Sequence, residues 1–130
     1  MQLTANLLIC KEAPDWVVNR FKELFGESVI ITRELCIKNA NTMIHDWDWL
    51  KHYSFSSQYQ GDVYNKAKSN ARSEYRSHSF ILYGEAIYAR ESEEKCNTLW
   101  YDFIARDKIA YPVYCKSMAI AFADAALGGF

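Results

Sequence analysis

With 130 residues, half of them hydrophobic, and a net charge of -1, the chain is long enough to bury one core without disulfides or metal, and a single globular domain over 1–130 is expected. That balance argues against non-specific binding to duplex DNA, where affinity comes from neutralising many phosphates and the chain is usually basic overall. Charge is unevenly spread: residues 61–80 carry four basic and two acidic side chains, whereas 1–60 carry six against seven and 81–130 five against seven.

Taken in chain order, Leu3, Ala5, Leu7 and Ile9 alternate with Gln2, Thr4, Asn6 and Leu8, the period of a strand with one face well buried, and a first strand is expected over Gln2 to Cys10. Pro14 then stands where a helix begins, Asp15 suits the positive end of its dipole, and Gly26 follows the last apolar residue as a cap. Val17, Phe21, Leu24 and Phe25 make the helical stripe between them. From Ser28 to Lys38 the β-branched content and the alternation of Val29, Ile31, Leu35 and Ile37 predict a second strand. Arg33 falls on that same face, so it is either turned out by a bulge or points inward towards a partner. Asn39 to Thr42 reads as a loop. Met43 to Tyr53 fits a short helix through Ile44, Trp47 and Leu50, or a strand through Trp47 and Trp49, and helix is preferred.

The stretch from His52 to Ser79 differs from the rest. It is rich in serine and tyrosine and holds one large aliphatic residue, Val63. Wound as a helix over Gly61 to Ser77, it places Val63, Tyr64, Ala67, Ala71 and Tyr75 on one arc and Lys68, Arg72 and Arg76 on an adjacent basic edge. Phe80 to Arg90 is apolar with Gly84 inside and is read as a third strand. Glu93 to Arg106 is a helix capped by Ser92, and Pro112 opens a last helix that Gly128 closes. That last helix is apolar nearly all round, which fits the core of the domain or a homodimer contact through Val113 to Leu127. The expected architecture is α+β: a small mixed sheet of about three strands, opening with a β-α-β unit and packed by four to five helices.

The cysteines at 10, 36, 96 and 115 are widely spaced and contain no CxxC pair, so they read as small buried hydrophobes in a reducing compartment. No signal-peptide pattern and no run of about 20 apolar residues is present, and a cytoplasmic protein is expected. The sequence has no Gly-rich phosphate loop and no nucleophile elbow, and it implies no cofactor.

Three constellations remain. His45, Asp48 and His52 would share one helical face, and two imidazoles with a carboxylate suit zinc or ferrous iron; an ordinary Asp48–His52 surface pair is the commoner outcome, and no metal is expected. Arg33, Ser54-Phe55-Ser56 and Glu91-Ser92-Glu93 follow one another in the order of three motifs, and these seven residues resemble the arginine, serine-containing strand and Glu-x-Glu of mono-ADP-ribosyltransferases. The resemblance implies that Arg33 and Ser54 position NAD and that Glu93 directs transfer. The third constellation is a recognition surface, anchored on Tyr53, Tyr59, Lys68, Arg72 and Arg76, in which tyrosine and arginine supply area, hydrogen bonds and charge. The functional expectation is a small non-enzymatic binding or inhibitor protein, of the kind found among phage and mobile-element accessory proteins, whose partner is a protein with an acidic surface. The alternatives are a single-stranded nucleic-acid binder, with tyrosines stacking bases, and the transferase.

Overall fold

Two threonines stop the predicted strands. In the computed structural model, which describes residues 1–76 and 78–128 without the side chains of His78 and Ser79, Thr4 and Thr32 sit in extended backbone. Each accepts a hydrogen bond at its side-chain oxygen from the N–H three residues on, from Leu7 at 3.0 Å and from Leu35 at 3.1 Å. These are helix N-caps. The first expected strand is therefore β1 (Gln2–Thr4) followed by α1 (Ala5–Cys10), and after α2 (Asp15–Phe25) the second is β2 (Ser28–Ile30) followed by α3 (Arg33–Lys38). The buried residues of α1, Ala5 and Leu8, are three apart, the spacing of a helix; the alternation read from Leu3 to Ile9 was a coincidence of composition.

β1 and β2 pair antiparallel, Leu3 opposite Val29, so the expected β-α-β crossover is replaced by a two-stranded ribbon with α1 and α2 between its strands. Such a ribbon is marginal alone, and it is held here by Leu3 and Ile31, both buried against the helices. The remaining elements are α4 (Trp47–Ser54), α5 (Gln58–Tyr75), α6 (His78–Tyr88) and α7 (Glu93–Leu127). The third expected strand, Phe80 to Arg90, is α6, in which Gly84 is tolerated as a helical residue. Seven helices and one two-stranded sheet among the described residues make the protein mostly helical, not α+β with three strands.

α7 is 35 residues long, and Pro112 lies inside it instead of opening a new helix. A proline there withholds one N–H from the carbonyl four residues back, on Lys108, and costs about 3 kcal/mol in a helix interior. Lys108 is exposed, so that carbonyl is close to water, and the helix runs on through Pro112. The proline marks a change of environment. Before it, α7 buries only Cys96 among its described residues; after it come Cys115, Met118, Ala119, Ala121, Phe122, Ala123, Ala125 and Ala126.

The core is built around that second half. Phe122 stacks on Trp47 at 5.0 Å and on Phe55 at 5.4 Å, with Tyr64 edge-on to it at 6.5 Å, and Leu8, Phe21 and Leu50 complete the cluster. The face considered for a homodimer through Val113 to Leu127 is thus largely covered by the chain itself. The alanines allow α3, α4 and α5 to approach α7 closely. α6 and the first half of α7 form a hairpin that adds none of its described residues to this cluster.

Candidate functional site

α5 begins at Ser57, whose hydroxyl accepts from the Gln60 N–H while the Gln60 side chain accepts from the Ser57 N–H at 3.2 Å, a capping box. Tyr64 is fully buried and marks the helix face turned to the core. Each four-residue step beyond it rotates about 40° further round the helix, so the ridge Lys68, Arg72, Arg76 leaves the core progressively. Lys68 remains half-buried, and its ammonium donates to both carboxylate oxygens of Asp48 at 2.8 Å. Arg72 and Arg76 are exposed and form no ion pair among the described residues.

Asp48, at the start of α4, also accepts from the Tyr64 hydroxyl at 3.1 Å. Burial pushes the Asp48 carboxyl up, but the hydrogen bond and charge of Lys68 outweigh it and the net shift is downward. Burial, with the Asp48 charge behind it, pushes the Tyr64 phenol well above its ordinary range. Around this triad α4, α5 and α7 enclose a polar pocket of about 240 Å³, lined among others by His45, Asp48, Tyr64, Lys68, Arg72 and Tyr111. Arg72 is its exposed rim. Tyr75 is turned inward: its ring stacks on Tyr114 at 4.6 Å and its hydroxyl donates to Asp107 at 2.5 Å, clamping α5 to α7.

The five anchors expected from sequence do not form one surface. Tyr53 ends up half-buried against the core, and its carbonyl accepts from Lys11 at 2.7 Å. Tyr59 is exposed in the first turn of α5, about 25 Å along the helix from Arg76. Lys68 is tied to Asp48. What remains together is Arg72, at the rim of the tyrosine-lined pocket, and Arg76 one turn further along the chain.

The transferase resemblance has no structural counterpart. Arg33 is the first residue of α3 and pairs with Asp124 near the end of α7, and the Ser54 hydroxyl donates to the Leu50 carbonyl within α4. Glu93 opens α7, about 45 Å of helix away from Asp124. No common site for NAD includes all three. His45 rims the pocket while His52 lies edge-on to Tyr53 at 4.8 Å, and no group of three or more His, Cys, Asp or Glu is placed to hold a metal among the described residues.

Sequence reasoning missed the most organised polar node. Asp46 is buried, accepts two hydrogen bonds from the Arg20 guanidinium at 3.0 and 2.8 Å, and accepts a third from the Trp49 indole at 2.8 Å. The hydrogen bond from Arg20 to Asp46 outweighs burial and raises the arginine further. Asp46 and Arg20 are 26 residues apart, and only the packing of α2 against the turn before α4 brings them together. No known family, curated protein or solved structure matches the chain.

Proposed function

We propose that this chain is a non-enzymatic recognition module for a protein partner with an acidic surface, and that Arg72 and Arg76 are its charged anchors. The supporting observation is the contrast along one ridge: Lys68 is neutralised by Asp48, while Arg72 and Arg76 stand exposed with no ion pair among the described residues. Arginine beside tyrosines is the composition of interface hot spots, because a planar guanidinium grips a carboxylate bidentately and the rings supply area at low entropic cost. Arg72 sits at the mouth of the pocket beside Tyr111, so a partner carboxylate meeting it would have its neighbouring side chain directed over the pocket.

The test is affinity capture from the native host, identification of the captured protein, and titration of that protein against the purified chain. Arg72→Glu with Arg76→Glu should weaken binding by about 100-fold or more and leave the helical circular dichroism unchanged. Undiminished binding by the double variant would sink the proposal. A steep salt dependence of binding to single-stranded DNA, with no protein captured, would replace it with the nucleic-acid reading.

A further inference from the structure

α6 carries an apolar face that the described residues leave about half exposed or more. Phe80, Ile81, Gly84, Ile87 and Tyr88 fall within about 120° of its circumference. Phe80, Ile81 and Ile87 are each about half exposed and Tyr88 is 92% exposed. A Cβ added at Gly84 would meet nothing within 4 Å. The seam with α7 lies elsewhere on the helix: Tyr83 packs on Trp100 at 5.1 Å, Ala86 is buried, and Phe80 touches Phe103 at 5.0 Å from the edge of the stripe.

This stripe is palindromic. About Gly84, Phe80 mirrors Tyr88 and Ile81 mirrors Ile87. An antiparallel second copy, related by a two-fold axis through Gly84, sets aromatic against aromatic and isoleucine against isoleucine, which is the self-complementarity an isologous interface demands. Glycine at the crossing point lets the two backbones approach. The arc holds no charge, since the one charged residue between Ser79 and Ala89 is Glu85, outside it; an acidic or basic partner would find nothing to pair with. The four exposed side chains leave about 500 Å² of apolar surface per copy, so mutual burial removes about 1,000 Å², the size at which specific interfaces begin.

We infer that the chain forms a two-fold homodimer by antiparallel pairing of α6 across Gly84, two α6–α7 hairpins together making a four-helix arrangement. Sedimentation velocity from about 1 to about 200 µM should show a dimer that dissociates on dilution. Ile81→Glu with Ile87→Glu should weaken association by about 100-fold or more while far-UV circular dichroism stays unchanged, because the dimer would bury unpaired carboxylates. A monomer at every concentration, or a dimer indifferent to the double substitution, would overturn the inference. So would binding of the stripe to phosphatidylcholine vesicles by a protein that does not self-associate. Should the double variant lose its helical signal, Gly84→Cys in a Cys10→Ser background decides: mild oxidation should yield a covalent dimer, since a disulfide needs Cα atoms within about 7 Å. Failure of this variant to cross-link would refute pairing at Gly84.

Discussion

Single side chains fix much of this protein's pH behaviour. Tyr64 is fully buried with its phenol pushed up by burial and by Asp48, so its neutral form is favoured by the fold. A group raised on folding contributes stability that is fully present below its unfolded value, near 10, and that is lost as pH climbs above it. Urea unfolding should therefore show stability falling above pH 10 by about 1.4 kcal/mol per pH unit from Tyr64, and Tyr64→Phe should flatten that fall. An equally steep alkaline loss in Tyr64→Phe would assign the effect to other groups. Asp48 acts at the opposite end: its lowered carboxyl adds stability above the ordinary aspartate value that is lost as pH drops through the folded one. Asp46 is a different case, a buried carboxylate whose worth lies in leaving no donor or acceptor unpaired; removing such a group while its arginine stays costs several kcal/mol, of order 3 for a fully buried pair and less for one whose arginine is partly exposed.

Helix ends decide the elements. α6 stops at a residue with positive φ: Arg90 has φ 56°, the N–H of Glu91 reaches back to the Ala86 carbonyl at 3.0 Å, and a left-handed cap is made without glycine. Since an L residue there costs about 1 kcal/mol relative to glycine, Arg90→Gly should raise the unfolding free energy by that amount, read as a higher urea midpoint at an unchanged slope. A lower midpoint would show that the Arg90 side chain stabilises the turn. The same scale explains what could be read in advance. α2 was legible because its proline, acidic first turn, apolar stripe and Gly26 agree, and α5 because its amphipathic arc is unambiguous, with Tyr64 and Tyr75 turned inward as the arc demands. The segments from Gln2 and from Ser28 are not strands throughout because Thr4 and Thr32 each N-cap a helix within them, and short apolar runs fit either period. Arg72 and Arg76 were legible as an exposed edge; the loss of Lys68 to Asp48 was not, since 20 residues separate them.

At the scale of the molecule, burial is divided between a main core, led by Phe122, Trp47 and Tyr64, and a hairpin whose described residues lie outside it. The four cysteines report on that division. Cys10 is exposed, Cys36 and Cys115 lie in the main core, and Cys96 is buried by the hairpin. Burial pushes the Cys36 thiol up to about 11, leaving almost no thiolate at neutral pH. A thiol reagent should thus modify Cys10 at once, Cys96 on local opening of the hairpin, and Cys36 and Cys115 only with global unfolding, an order that peptide mapping of a labelling time course would read. Modification of Cys36 before Cys96 would contradict the division.

What the sequence by itself determined was local: which stretches are amphipathic, where Pro14 and Gly26 bound a helix, which residues of α5 turn inward, and that its later arginines face water. Tertiary structure alone decided which period won in the alternating segments, that α7 runs unbroken through Pro112, and that Tyr53 and Tyr59 lie apart from the two arginines. The physical reason is common to all three. Capping and periodicity are encoded within a turn or two of chain, whereas the partner that covers an apolar face or a charge comes from a distant element, and its packing energy overrides propensities worth less than about 1 kcal/mol per residue.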